Sequence, residues 1–146
     1  LPNLLFDRRT NRLTAVIDFD FSHIGSIITE FLYSFPDFQG ILPSVADPQD
    51  GLRDLMLNGF ADPVIDAQFA TGKAWDDALA AQGVLRPCTI DGAEHVSNVW
   101  WFAQDLMHFH WLLPRFYESQ KTEEQIQKWV DKSRKLIESC LEHWGY

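Results

Sequence analysis

Asn3-Leu4-Leu5-Phe6-Asp7 and, five polar residues later, Leu13-Thr14-Ala15-Val16-Ile17-Asp18 decide how the rest of the chain is read. Both runs have the apolar, β-branched and aromatic content of strands. Arg8-Arg9-Thr10-Asn11-Arg12 supplies the turn between them. In an antiparallel pair the start of the first strand lies beside the end of the second. The spacing therefore predicts a hairpin that brings Asn3 and Asp18 together at one end. An amide oxygen beside a carboxylate suits a hard cation such as Mg2+, which takes oxygen ligands and bridges phosphate oxygens. The same pair could instead be a turn cap and an ordinary loop carboxylate.

Outward from the hairpin the pattern turns helical. Residues 20–26 read as a loop with Gly25 free to take positive φ. Residues 27–35 read as a short helix stopped by Pro36, with Glu30 placed to favour the helix dipole. Residues 36–48, rich in Pro, Gly and Asp, read as irregular. Helices are expected over 52–60 and 63–82, the latter ending at Gly83, and 84–91 forms a second linker. Asp91 with Glu94 has the spacing of a capping box. The apolar positions Val99, Phe102, Ala103, Leu106, Phe109 and Leu113 then predict a buried helix ending near Pro114. Thr122 with Gln125 opens a last helix, whose stripe of Ile126, Trp129, Val130, Ser133, Ile137, Cys140, Leu141 and Trp144 should face the core. The fold class is mainly α: a short N-terminal β-hairpin (3–18) followed by a bundle of about five helices (27–145), in one domain.

A chain of 146 residues, 46% hydrophobic and 14% aromatic, can bury a real core, and six Trp and eleven Phe promise large contact areas. A net charge of −9 argues against a nucleic-acid partner, which needs a basic face. It would suit a cationic small molecule, although acidity alone also describes many soluble proteins. Cys88 and Cys140 are too few for a disulfide framework, and neither lies in a C-x-x-C. Cys140, on the apolar stripe, reads as a small core residue. No signal-peptide pattern and no apolar run of about 18 residues is present, so a cytoplasmic location and no membrane partner are expected.

Leu1-Pro2-Asn3-Leu4-Leu5-Phe6-Asp7, with Val16-Ile17-Asp18-Phe19-Asp20-Phe21-Ser22-His23-Ile24-Gly25, resembles the catalytic core of the aminoglycoside phosphotransferase-like family. That family is a branch of the protein-kinase-like fold that phosphorylates small molecules. Residues 98–116 resemble its fungal members. The resemblance implies the C-terminal lobe of a small-molecule kinase, in which Asn3 and Asp18 hold Mg2+ on ATP; an acidic residue such as Asp20 is also common there. The family's proton-accepting Asp stands five residues before the metal-binding Asn, a position upstream of Leu1. The ATP-covering loop and phosphate-gripping Lys have no counterpart either, and no G-x-G-x-x-G or P-loop motif replaces them. A chain opening on Leu is expected to be a fragment, a processed product or a natural truncation. It is also expected to be inactive in phosphoryl transfer by the family mechanism, with no catalytic residue of its own.

Other polar residues offer further chemistry. Asp18 and Asp20 are close enough to need an ion or a basic side chain between them, and His23 is spaced to bond that carboxylate. Asp105 and His108, at i and i+3, share a helical face, whereas His108 and His110 point apart and make a poor metal pair. With Trp100, Trp101 and Trp111 nearby, Asp105, His108 and His110 could line an aromatic pocket for a small molecule, or be the polar tips of a packed helix. A repurposed lobe would use Asp18, Asp20, His23, Asp105, His108 or His110 as acid or base in a cyclisation or isomerisation, or bind a hydrophobic molecule without catalysis. A non-catalytic interaction module is a further alternative. Surface left uncovered by a missing N-terminal lobe would favour self-association into a dimer.

Overall fold

The computed structural model describes residues 4–17, 25–62, 64–112 and 122–146, with the backbone alone described at 108–112. It is mainly helical behind an N-terminal antiparallel hairpin, as the sequence predicts. Strand β1 (Leu4–Asp7) pairs with β2 (Arg12–Val16), placing Leu4 opposite Val16 and Asp7 opposite Arg12, with a bulge between Leu5 and Phe6. Asp7 builds the turn: its carboxylate accepts from Arg9 N at 2.8 Å and its carbonyl from Asn11 N at 2.8 Å. Asn11 takes φ 52°, a left-handed conformation that Asn tolerates. The turn is thus one residue shorter than expected, because Arg12 joins the ladder.

Among the described residues five α-helices follow: α1 (Glu30–Tyr33), α2 (Leu52–Asn58), α3 (Ala70–Ala81), α4 (Ala93–Leu112) and α5 (Glu123–His143). The first is a single turn continuing a 3-10 turn at Ile27–Thr29. The third begins later than the predicted 63, because the Asp66 carboxylate accepts from Gln68 N at 3.0 Å and caps a separate 3-10 turn at Ala67–Phe69. Gly59 ends α2 at φ 70°; a Cβ there would also lie 2.9 Å from Cys88 Sγ, so both backbone and space require glycine. Ile28, Phe31, Leu42, Leu52, Met56, Phe60, Phe69 and Ala93 form one buried cluster.

Helix α4 reverses the expected polarity. Val96, Val99, Leu106 and Met107 are exposed, Val99 to 61%, whereas Ser97, Asn98 and Asp105 are buried. At Ser97 and Asn98 the cause is Arg53, buried on α2 and in need of acceptors. Its Nη1 donates to Pro43 O at 2.7 Å and Ser97 Oγ at 3.3 Å; its Nη2 donates to Asn98 Oδ1 at 2.9 Å and Glu94 Oε1 at 3.5 Å. Leaving those groups unpaired inside would cost more than exposing valines. Glu94 is therefore engaged with Arg53 rather than in the expected box with Asp91, and Gly92 O accepts the first helical bond, from Val96 N. The Thr122–Gln125 box does form, with Thr122 Oγ1 accepting from Gln125 N at 3.3 Å and Gln125 Oε1 from Thr122 N at 3.0 Å. Along α5, Ser133 and Cys140 are buried and Ile126, Val130, Ile137 and Leu141 half-buried, while Trp129 and Trp144 sit at the edges of the stripe.

Candidate functional site

Two places in the described structure bear on the polar residues singled out by the sequence. The first is the open end of the hairpin. Because Leu4 faces Val16, the chain enters β1 and leaves β2 at the same end. Asn3, Asp18, Asp20 and His23 themselves lie outside the described residues. Among the described residues, no group of three or more His, Cys, Asp or Glu is arranged to hold a metal ion. An Asn amide oxygen with an Asp carboxylate is a hard-oxygen donor set that fits Mg2+.

The second place is a cleft of about 400 Å³ between α4, α5 and the loop that follows Leu42. Pro43, Ser44, Asp47 and Gln49 line it from the loop, Trp101 and Asp105 from α4, and Trp129, Lys132, Ser133 and Leu136 from α5. An isolated bridge between Ser44 and Asp47 shapes the loop, and Ser44 Oγ accepts from Ala46 N at 3.1 Å. The indole of Trp101 is fixed by its N–H, which donates to Leu42 O at 2.9 Å. Burial pushes the thiol of Cys140 above its ordinary pKa and nearby Asp105 adds to that; a hydrogen bond to Ser44 and the charge of Arg53 oppose it.

Trp101 and Asp105 thus share the cleft, whereas Trp100 stacks on Tyr33, ring centroids 6.3 Å apart. The side chains of His108, His110 and Trp111 lie outside the described residues. Sequence reasoning did not single out the residues that the loop and α5 contribute. Pro43 and Pro48 bracketing a short polar run, and Trp129 at the edge of the α5 stripe, were the available signals.

Residues 1–62 match the model of the phosphotransferase enzyme family, APH. The matched span contains the hairpin, α1, α2 and the 43–49 loop, and it supports an aminoglycoside phosphotransferase-like kinship. Helices α3 to α5 lie beyond it. No curated protein and no solved structure matches the chain. No helix among the described residues is long and apolar enough to cross a membrane.

Proposed function

We propose that this chain is the C-terminal lobe of an ATP- and Mg2+-dependent small-molecule phosphotransferase, of the aminoglycoside phosphotransferase-like kind found in fungi. The observation that carries the reading is the hairpin register within the family-matched span: Leu4 opposite Val16. Asn3 and Asp18 flank that pairing on either side, and their oxygens hold the cation that neutralises the ATP phosphates. Catalysis in such an enzyme is mainly positioning and charge stabilisation, so the two residues orient rather than exchange protons. Asp20 is a candidate third oxygen ligand. With so few protein oxygen ligands, the metal is bound weakly in the absence of nucleotide. The location is cytosolic, where ATP and Mg2+ are abundant.

Leu5, Phe6, Leu13 and Val16 are exposed on the hairpin. This supports a covering partner there, either an N-terminal lobe or a second copy of the chain. The cleft favours a small-molecule ligand, which a repurposed lobe could bind without any phosphoryl transfer.

Calorimetric titration with Mg2+ and with Mg-ATP tests the main reading. Weak Mg2+ binding that is lost in both Asn3→Ala and Asp18→Asn is expected. Unchanged Mg2+ binding in Asp18→Asn, or tight binding of ATP by the chain alone, would contradict it.

A further inference from the structure

Helix α4 carries polar residues inward and apolar ones outward. Surface helices do the reverse, because an apolar arc left in water forgoes the free energy of burial. Val96, Val99, Leu106 and Met107 are 44–61% exposed and Ala103 is exposed as well, with half-buried Trp100 at the edge of the set. At about 100° per residue these positions share one arc of roughly 120°. Asp105 is the one formally charged side chain between His95 and Met107, and it is buried on the opposite side. We propose that this arc is a homodimer interface, on which α4 of a second copy of the chain packs antiparallel about a two-fold axis at Ala103.

The occupant follows from the pattern of the arc. Val99 and Trp100 stand four and three residues before Ala103, and Leu106 and Met107 three and four after it. A set symmetric about its centre meets itself when a copy is turned end for end, as a two-fold axis requires. Val99 then lies against Met107 of the partner subunit, a short side chain facing a long one. Ala103, the smallest of the set, sits at the crossing point, where a small side chain lets the helix axes approach to about 8 Å. Tyr33, exposed and stacked on Trp100, adjoins the arc. Together they offer on the order of 500 Å² per copy, so a dimer buries roughly 1,000 Å², the lower limit for a specific contact. The association is therefore weak and reversible. Two copies at −9 each repel, but the contact itself buries no charge. A lipid surface is the poorer occupant, because α4 has no Lys or Arg to meet headgroups and the acidic chain is repelled by anionic ones. The inference is independent of phosphoryl transfer, since α4 lies beyond the family-matched residues and the hairpin takes no part.

Sedimentation of the 146-residue protein from about 1 to about 200 μM should show the mean mass rising from monomer toward dimer. Val99→Glu, which sets a charge in the contact without touching the monomer core, should weaken the dimer about tenfold or more with an unchanged circular dichroism spectrum. Phe6→Glu on the hairpin should leave the dimer as it is. Raising NaCl from about 20 to about 200 mM should tighten it, by screening the like charges of the two copies. Orientation is read by cysteine pairing under mild oxidation, in a Cys88→Ser background. Ala103→Cys, on the axis, should give a covalent dimer, whereas Val96→Cys should not, since its two copies would lie about 20 Å apart. A protein monomeric throughout, whether or not it binds phosphatidylcholine vesicles, overturns the proposal. So does a dimer dissolved by Phe6→Glu but not by Val99→Glu, a dimer weakened by salt, or crosslinking at Val96→Cys instead of Ala103→Cys.

Discussion

Arg53 sits where α2, α4 and the 43–49 loop meet, 3% exposed, with its guanidinium shared among Pro43 O, Ser97, Asn98 and Glu94. Removing it strands several buried acceptors. Arg53→Met should lower the unfolding free energy by about 3 kcal/mol in denaturant titration. Arg53→Lys should recover only part of that, since an ammonium cannot reach acceptors on both sides of a planar fork. Cys140 yields a pH prediction. Its folded pKa lies above its unfolded one, so the unfolded chain releases the thiol proton first. The stabilisation is fully present below the ordinary thiol pKa of about 8.5 and is lost as pH rises toward the folded value. Unfolding free energy measured from pH 7 to 10 should therefore fall more steeply in the wild type than in Cys140→Ala. A thiol reagent at pH 8 should modify half-buried Cys88 before Cys140.

Helix α5 was legible in the sequence because local chemistry fixes its start: a hydroxyl at Thr122 and an amide at Gln125 satisfy each other without reference to the rest of the fold. Thr122→Ala should cost about 1 kcal/mol, read as a lowered denaturation midpoint. The hairpin was legible for the same reason, since Asp7, Arg9 and Asn11 build its turn from within. Helix α4 was legible as a helix but not in its orientation. Periodicity assigned Val99 and Leu106 to the core, and Arg53, some 40 residues earlier, turned Ser97 and Asn98 inward instead. A long-range hydrogen-bond demand cannot be read from the spacing of apolar residues. The same holds for α3, where buried Asp76 pairs with Arg86 across the Gly83 turn. That hydrogen bond pushes the guanidinium pKa higher still, so Arg86 stays charged at any ordinary pH. Arg86→Met should destabilise by about 2 kcal/mol, measured in denaturant, by leaving a buried carboxylate without its partner.

For the whole molecule, the family-matched span and the helical remainder divide the work. Residues 1–62 carry the hairpin and the loop at 43–49; α4 and α5 close the cleft against that loop. The part of the candidate site contributed by α5 was hidden from sequence because Trp129, Lys132 and Ser133 acquire meaning only when packed opposite Pro43 and Asp47. The central claim concerns the open end of the hairpin. Paramagnetic Mn2+ added to isotope-labelled protein reports metal proximity residue by residue, even when binding is weak. Selective broadening of the Leu4 and Ile17 amides, abolished by Asp18→Asn, is the predicted result. Broadening spread over the acidic surface, or unchanged in Asp18→Asn, would contradict it.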